Sequence, residues 1–398
     1  MRINVIKLMS PLHGEERVLK SIEPTMEFLQ KNYEVKFVEP GEAEGFTLIW
    51  VMTGGVEGKF REIYEKLEKP VVLLSEGINN SLAASMEILS YVKSRGDSGY
   101  LLYASCEETA KKINELARLE EARIRIKNAA IGSIGGPSDW LIDSAVNFKK
   151  ASKRWGTRFI DIPMEELCRY IEDQGEEKYD GYFDGAAVLE PTPDDIKGAH
   201  RIYVALRKLV SERGLDAVTV KCFDLLGKLK NTGCTALARL NDEGVVAGCE
   251  GDLPATFTMF AVRALTGQNS FMANPSAVDF SENTVVFAHC TIPTCMVRKY
   301  RLRSHFESGL GVAIAGEVQE GPATVFKIGG EGLDRFRLYR GTLVKNTESE
   351  QRCRTQIEVR LEVPVREFLE NPLGNHQVIV SGDYSMLFDA FMKYMNLT

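Results

Sequence analysis

The sequence predicts an α/β protein: two consecutive α/β units with parallel sheets, followed by a C-terminal antiparallel β-barrel-like domain. Short apolar strand patterns alternate with helical patterns through roughly the first two-thirds of the 398 residues. Such alternation is typical of parallel sheets covered by helices on both faces. Beyond about residue 269 the helical periodicity stops, and strand patterns follow one another between glycine-rich turns, as in barrels or sandwiches. The length also fits two to three domains.

The first predicted domain, residues 1–125, shows this alternation most regularly. Its predicted strands are short and apolar: Ile3–Leu8, Glu34–Val38, Phe46–Val51, Pro70–Leu74 and Tyr100–Ser105. Its predicted helices lie between or after them, at Glu15–Asn32, Gly58–Leu67, Leu82–Ser94 and Glu107–Glu121. The charged stretch Leu119–Arg125 marks the predicted boundary.

The second predicted domain, residues 126–268, repeats the pattern. Its strands are predicted at Ala129–Ile134, Arg158–Ile162, Ala217–Cys222 and Val245–Cys249. Its helices are predicted at Leu141–Trp155, Met164–Glu172, Thr192–Arg213, Cys234–Leu240 and Pro254–Thr266. Pro193 and Gly214 predict the ends of the longest of these helices, and Asp252 is well placed to cap the last one.

The third predicted domain, residues 269–398, is the barrel-like one. A loop is expected between Thr266 and the apolar strand that ends at His289. The later strands are predicted at Tyr300–Glu307, Gly311–Glu317, Ala323–Ile328, Arg335–Tyr339, Leu343–Lys345 and Thr355–Val363. A helix, Ser385–Met395, is predicted at the end.

Composition excludes several classes of function. The net charge of −7 is spread along the chain and leaves no basic stripe to neutralise nucleic-acid phosphates. No apolar run approaches the length of a membrane span, and the N-terminus is too polar for a secretory signal. The eight cysteines form no Cys-x-x-Cys pair and are expected to be reduced. We therefore expect a cytoplasmic protein that binds a small molecule.

The stretch from Val245 to His289 carries the strongest candidate site. Each of its two apolar strands stops at a side chain that can bind a metal, Glu250 after the first and His289 at the end of the second. Ligands collect at strand ends in α/β proteins, and a carboxylate with an imidazole can bind a divalent cation if the fold joins them. Taken singly, Glu250 could equally be an exposed carboxylate at a helix N-terminus, and His289 a core histidine.

Three segments also resemble one family. Cys249-Glu250-Gly251-Asp252 resembles the Glu-Gly-Asp segment of L-arabinose isomerases. Phe271-Met272 followed by Phe287-Ala288-His289 is similar to the segment that holds that family's second acid and a histidine ligand. Gly374-Asn375-His376-Gln377 resembles the segment of its last histidine ligand. The order of the motifs matches over roughly the last third of the chain, which thus resembles the L-fucose and L-arabinose isomerases and their uncharacterised relatives.

The resemblance implies a metal-dependent aldose–ketose isomerase that acts on an open-chain pentose, hexose or deoxysugar through an enediolate. It implies Mn²⁺, or another divalent cation such as Mg²⁺, bound by Glu250, His289 and His376. Glu250 would also transfer the proton, with Asp252 as the second choice for this acid/base role. The resemblance further implies a homo-oligomer, a trimer or hexamer, and we expect the site where the second domain meets the barrel.

The chain departs from the family at one position. Where the family has its second glutamate, this sequence has Ala273-Asn274. Asn274 could serve as the fourth metal ligand through its amide oxygen, but an amide cannot act as a base. Asp279, Glu282 and Glu307 remain alternatives for the missing acid. This gap also keeps open a non-catalytic sugar-binding or regulatory protein on an isomerase scaffold.

Five further residues are candidates for substrate binding: Ser138, Trp140, His13, His305 and Glu307. Ser138 and Trp140 belong to Gly135-Gly136-Pro137-Ser138-Asp139-Trp140, which is similar to a segment in the uncharacterised relatives of fucose isomerase. The indole could pack on a sugar face or lie in the core. His13 follows the first strand, on the ligand side of its sheet. Alternation places His305 and Glu307 on one strand face, which is either solvated or a polar pocket wall.

Overall fold

A computed structural model of the chain describes residues 1–175 and 178–397 and confirms the predicted fold class. Two all-parallel sheets lie in α/β segments, and a closed antiparallel barrel of six strands follows. By contacts the chain divides into two compact units: Met1–Ile124 together with the residues from Ala390 onward, and Arg125–Asp389. The second unit therefore contains both the second parallel sheet and the barrel. In the described ranges, no helix is long and apolar enough to cross a membrane.

The first unit is built on a five-stranded parallel sheet with strand order β2-β1-β3-β4-β5. The strands are β1 (Arg2–Leu8), β2 (Glu34–Phe37), β3 (Thr47–Val51), β4 (Val71–Ser75) and β5 (Gly99–Tyr103). The helices are α1 (Glu15–Ser21), α2 (Glu23–Asn32), α3 (Glu57–Ile63), α4 (Ser81–Ser94) and α5 (Glu107–Lys127). Residues of β3 and β4 are almost all buried, as expected for a sheet covered on both faces.

The second unit opens with a four-stranded parallel sheet of order β10-β9-β6-β7. Its strands are β6 (Ala130–Ile134), β7 (Arg158–Ile162), β9 (Ala217–Val220) and β10 (Val246–Cys249), and the short β8 (Ala187–Val188) lies in another sheet. Its helices are α6 (Phe148–Trp155), α7 (Met164–Glu172), α8 (Pro193–Arg213), α9 (Cys222–Leu229), α10 (Cys234–Asp242) and α11 (Leu253–Thr266). Thr192 and Asp195 cap the start of α8 reciprocally, a capping box that stabilises its first turn.

The barrel has the strand order β11-β12-β17-β16-β15-β18 and closes through pairing of β11 with β18. Its strands are β11 (Phe271–Asp279), β12 (Thr284–His289), β15 (Gly321–Gly329), β16 (Arg335–Asn346), β17 (Thr355–Leu361) and β18 (Gln377–Ser381). A separate sheet contains β13 (Val297–Arg303) and β14 (Ala313–Val318), which pair with each other, and β8. The remaining helices are α12 (Val365–Glu370) and α13 (Ser385–Tyr394).

Several local predictions were wrong. The strands predicted at Arg335–Tyr339 and Leu343–Lys345 form one strand, β16, and the helix predicted at Glu15–Asn32 is divided into α1 and α2. Residues 271–279, expected in a loop, form β11, because the buried Phe271, Met272 and Ala273 complete the barrel. The strand predicted to reach Glu307 ends at Arg303, and the chain then turns, with the His305 backbone N–H bonded to Leu310 O. The helix predicted from Leu141 begins only at Phe148, where the Asn147 side chain accepts the Lys150 backbone N–H and caps the first turn.

Candidate functional site

Glu250 lies in a sharp turn between β10 and α11. Its backbone has φ of +60°, a left-handed conformation that non-glycine residues rarely adopt, and the next residue, Gly251, has φ of +69°. A Cβ on Gly251 would lie 1.9 Å from the carbonyl oxygen of Gly136. Only glycine therefore lets the loop after β6 approach this turn. The turn places the Glu250 side chain at the carboxyl end of the parallel sheet, as the sequence predicted.

The loop after β6 holds Glu250 through two hydrogen bonds. The Ser138 backbone N–H donates to Glu250 O at 2.9 Å, and the Trp140 indole Nε1–H donates to Glu250 Oε2 at 2.7 Å. The Trp140 ring is half exposed and packs edge-on against Phe223 at 4.8 Å between ring centroids. One carboxylate oxygen of Glu250 is thus fixed by Trp140, and the other, Oε1, points toward the two histidines.

The two histidines lie at the ends of β12 and β18, the two barrel strands that flank β11. Asn274 of β11 pairs with Ala288 of β12, and Ala273 pairs with Gln377 of β18. His289, the last residue of β12, and His376, just before β18, therefore lie at the same end of the barrel. Their ring centroids are 5.3 Å apart.

Glu250, His289 and His376 form a buried cluster that could hold a metal ion, with their ligand atoms all within 4.8 Å of one another. Glu250 Oε1 lies 3.5 Å from His289 Nε2 and 3.4 Å from His376 Nε2. These separations are long for hydrogen bonds, and both buried Nε2 atoms lack a hydrogen-bond partner. Two imidazole nitrogens and a carboxylate oxygen suit a divalent transition metal, so the residues present fit the metal that the resemblance implies.

The other ring nitrogen of each histidine is fixed by a neighbour. His289 Nδ1 lies 3.0 Å from Thr291 Oγ1, and His376 Nδ1 lies 2.9 Å from Asp252 Oδ2. Asp252 is fully buried and caps α11, accepting the Ala255 backbone N–H at 2.7 Å. Metal-binding histidines usually have such partners, which set the ring orientation and leave the second nitrogen free to bind.

The charges in the cluster shift one another's pKa values. Burial by itself raises the pKa of Glu250, but the two imidazoles outweigh this and lower it well below its usual range. Burial likewise raises the pKa of Asp252, but the Lys327 ammonium and His376 lower it to about 2. Burial lowers the pKa of His376, but its bonds to Asp252 and Glu250 raise it to about 9. Both carboxylates are therefore ionised at neutral pH.

A cavity adjoins Glu250 and His289 and contains three of the other predicted residues in its lining. Its lining includes Glu250, His289, Asn274, His305 and Glu307. The Asn274 amide oxygen accepts from Asn375 Nδ2 at 3.2 Å. His305 is buried in the turn after β13, with Nδ1 3.1 Å from Ser308 Oγ, so it reaches the cavity from a loop and not from the predicted strand face.

The other predicted residues do not line the cavity, although Ser138, Trp140 and His376 contact or adjoin Glu250. Asp252, the second choice for the acid/base, does not line the cavity. Asp279 and Glu282 occupy the turn between β11 and β12, where Asp279 bonds to Ser281 and Glu282 pairs with Arg360. His13 belongs to the first unit, in a short 3-10 turn, Pro11–His13. Of the acids proposed to replace the missing glutamate, Glu307 lines the cavity.

Two features of this region were not predicted from the sequence. The first is Lys327, a buried lysine of β15 that contacts Asp252. The second is a group of thiols that line the cavity: Cys222, Cys234, Cys249, Cys290 and Cys353. Cys249 Sγ donates to Cys222 Sγ at 3.1 Å. A lysine within the apolar run Ala323–Ile328, and cysteines directly beside Glu250 and His289, were the signals available in the sequence.

Comparison with known proteins agrees with the predicted enzyme class. No family model matches the chain. The chain is 22% identical over 346 residues to a sulfoquinovose isomerase of Alkalicoccus urumqiensis, covering 80% of this chain and 75% of that protein. It is 23% identical over 342 residues to a sulfoquinovose isomerase of Clostridium sp. (strain MSTE9), with the same coverage. A sulfoquinovose isomerase of Priestia aryabhattai is 20% identical over 350 residues, 83% of this chain and 76% of that protein.

These relatives carry the name of a sugar isomerase and not that of an arabinose or fucose isomerase, to which the motifs were compared. The broader prediction is supported, and the narrower family is not confirmed. The similarity covers at least 80% of this chain and at least 75% of each of these relatives. It supports an isomerase enzyme with a small-molecule sugar as its substrate.

Proposed function

We propose that this protein is a metal-dependent aldose–ketose isomerase that acts on an open-chain sugar. The observation that carries this proposal is the buried Glu250–His289–His376 cluster, with both histidine Nε2 atoms lacking hydrogen-bond partners beside a cavity. Buried polar atoms are normally satisfied, so two unpaired nitrogens facing one carboxylate oxygen favour a cation-binding site. The sugar isomerase relatives supply independent support for the reaction class.

The ligands we propose are Glu250, His289 and His376, with Asn274 as a fourth. Asn274 lines the same cavity, and its amide oxygen suits a hard divalent cation. Mixed imidazole and oxygen donors favour Mn²⁺ over Mg²⁺. A bound divalent cation would polarise the sugar carbonyl and stabilise the negative charge that develops on the enediolate.

Proton transfer would fall to two carboxylates. Glu250 is held as a carboxylate and oriented by Trp140, so it can take the proton from the carbon beside the carbonyl and return it to the adjacent carbon. The reaction also moves a hydroxyl proton between the two sugar oxygens. We assign this second transfer to Glu307, which is exposed at the cavity wall and replaces the acid missing at Asn274.

The remaining polar residues near the cavity are candidates for orienting the sugar. His305 lines the cavity, and Phe223 packs between His305 and Trp140, with centroid separations of 5.5 Å and 4.8 Å. Ser138 stays a proposed substrate contact, since its buried Oγ lacks a hydrogen-bond partner. His13 also stays a prediction. The sugars to consider are pentoses, hexoses and deoxysugars, and also sulfoquinovose, on which the relatives act by name.

The direct test incubates purified protein and Mn²⁺ with this panel of sugars in D₂O and follows each sugar by proton NMR. An isomerase will produce the ketose or aldose partner and exchange the transferred hydrogen with solvent deuterium. The Glu250→Gln variant is the control for contaminating activity. If no sugar of the panel is converted by wild-type protein with bound Mn²⁺, the proposed reaction is wrong.

A further inference from the structure

Lys327 is a buried lysine in the wall of the barrel. It lies in β15 between Phe326 and Ile328, and its side chain is 1% exposed. Lysine is almost never fully buried unless it is paired, because removing its charge from water is costly. A lysine in this position therefore needs a specific partner that compensates for its buried charge.

The partner is Asp252. Lys327 Nζ lies 3.4 Å from each of the two oxygens of this fully buried carboxylate. Each oxygen has a further, shorter contact: Oδ1 with the Ala255 backbone N–H at 2.7 Å, and Oδ2 with His376 Nδ1 at 2.9 Å. The ammonium thus faces the carboxylate symmetrically and balances its charge, while the two shorter bonds set its orientation.

Lys327 does not line the cavity. It is therefore not placed to react with a sugar carbonyl or to exchange protons with the substrate. Its hydrogen-bond contact toward the cluster is with Asp252, and Asp252 contacts His376.

We propose that Lys327 is a positioning residue of the metal centre: it anchors Asp252 so that Asp252 orients His376 with its Nε2 free to bind the cation. This inference rests on the proposed function. A carboxylate only accepts hydrogen bonds, so the Asp252–His376 contact requires the proton on Nδ1. When the ring is neutral, as it must be to bind a metal, the lone pair is therefore on Nε2, the atom that faces Glu250 Oε1 at 3.4 Å and has no hydrogen-bond partner.

Removing the ammonium should therefore weaken metal binding from a distance. In Lys327→Met the buried carboxylate loses its counter-charge, so its ionised form, which accepts the hydrogen bond from His376, becomes less stable. Loss of a group that orients a metal-binding histidine typically lowers metal affinity about 10- to 100-fold. The sugar KM should stay near the wild-type value while kcat at subsaturating Mn²⁺ falls, because Lys327 does not touch the cavity.

The experiment compares Mn²⁺ affinity by titration calorimetry in wild type, Lys327→Met, Lys327→Arg and Lys345→Met. Lys345 of β16 is the matched control, since it is exposed and pairs with a different barrel carboxylate, Glu358, at 3.1 Å. We expect about 10- to 100-fold weaker binding for Lys327→Met, partial recovery for Lys327→Arg, and no change for Lys345→Met. A folded Lys327→Met protein that binds Mn²⁺ as tightly as wild type overturns the inference.

Two further comparisons keep the test decisive. If Lys327→Met does not fold, the double variant Lys327→Met/Asp252→Asn removes both charges. It should bind Mn²⁺ as weakly as Asp252→Asn alone, because Lys327 acts on His376 through Asp252. Additional loss in the double variant contradicts the inference. Absence of Mn²⁺ binding in the wild type would instead refute the proposed function, so the two failures are distinguishable.

Discussion

The hydrogen bond from Trp140 to Glu250 gives the first prediction. Trp140→Phe keeps an aromatic ring against Phe223 but deletes the indole N–H that donates to Glu250 Oε2 at 2.7 Å. A hydrogen bond to a charged group contributes about 1.5–3 kcal/mol. Trp140 is 50% exposed, so water can partly replace the donor, and we take the lower end. About 1.5 kcal/mol corresponds to roughly a tenfold loss in Mn²⁺ affinity, in kcat/KM, or shared between them.

The assay is a Mn²⁺ titration by calorimetry, combined with kcat/KM at saturating Mn²⁺. Trp50→Phe is the matched control, because Trp50 Nε1 also donates to a carboxylate, Glu76 Oε1, at 2.7 Å, but in the other compact unit. The control should lower the free energy of unfolding and leave Mn²⁺ affinity unchanged. If folded Trp140→Phe matches wild type in both affinity and kcat/KM, the orientation of Glu250 does not depend on this bond.

The protonation of His376, the turn at Gly251 and the oligomeric state can each be tested. The folded, metal-free protein raises the pKa of His376 to about 9, so protonated His376 stabilises the fold at lower pH and this stabilisation is lost as the pH rises through 9. Mn²⁺ must displace the same proton in order to bind. Affinity should then rise about tenfold per unit between pH 6.5 and 8.5, whereas a pH-independent calorimetric affinity would contradict the assignment. Gly251→Ala should reduce the free energy of unfolding in urea far more than Gly267→Ala, because both have positive φ but only the first clashes with Gly136; equal losses would refute the packing argument. Finally, light scattering at micromolar protein should show a trimer or hexamer, and a monomer would exclude it.

The fold was largely predictable because its signals are local. Strands with continuous apolar runs between helical periods indicate parallel sheets, and Pro193, Gly214 and Asp252 indicate the two ends of α8 and the start of α11. The barrel was predictable only as a class. Its closure depends on pairing between β11 and β18 across about a hundred residues. The sequence predicts a loop where β11 forms, a segment that contains Pro275, and proline is uncommon within strands.

The candidate site was predictable to the extent that metal-capable side chains stand at strand ends. The structure brings Glu250, His289 and His376 together, but its geometry depends on contacts that no local pattern contains. Trp140 reaches Glu250 over 110 positions, and Lys327 reaches Asp252 over 75. The alternation that placed His305 on a strand continued past the real end of β13 at Arg303, because alternation alone does not show where a strand stops.

Metal binding by the Glu250–His289–His376 cluster is tested by comparing the wild type with three variants. Wild type, Glu250→Gln, His376→Ala and Glu307→Gln are purified without chelator, analysed for metal content, and titrated with Mn²⁺. We predict about one ion per chain for wild type and Glu307→Gln, with turnover lost in the latter because Glu307 moves a proton and binds no metal. Glu250→Gln and His376→Ala should each lose most of the bound ion. Wild-type levels of Mn²⁺ in both ligand variants, or none in the wild type, would contradict the site.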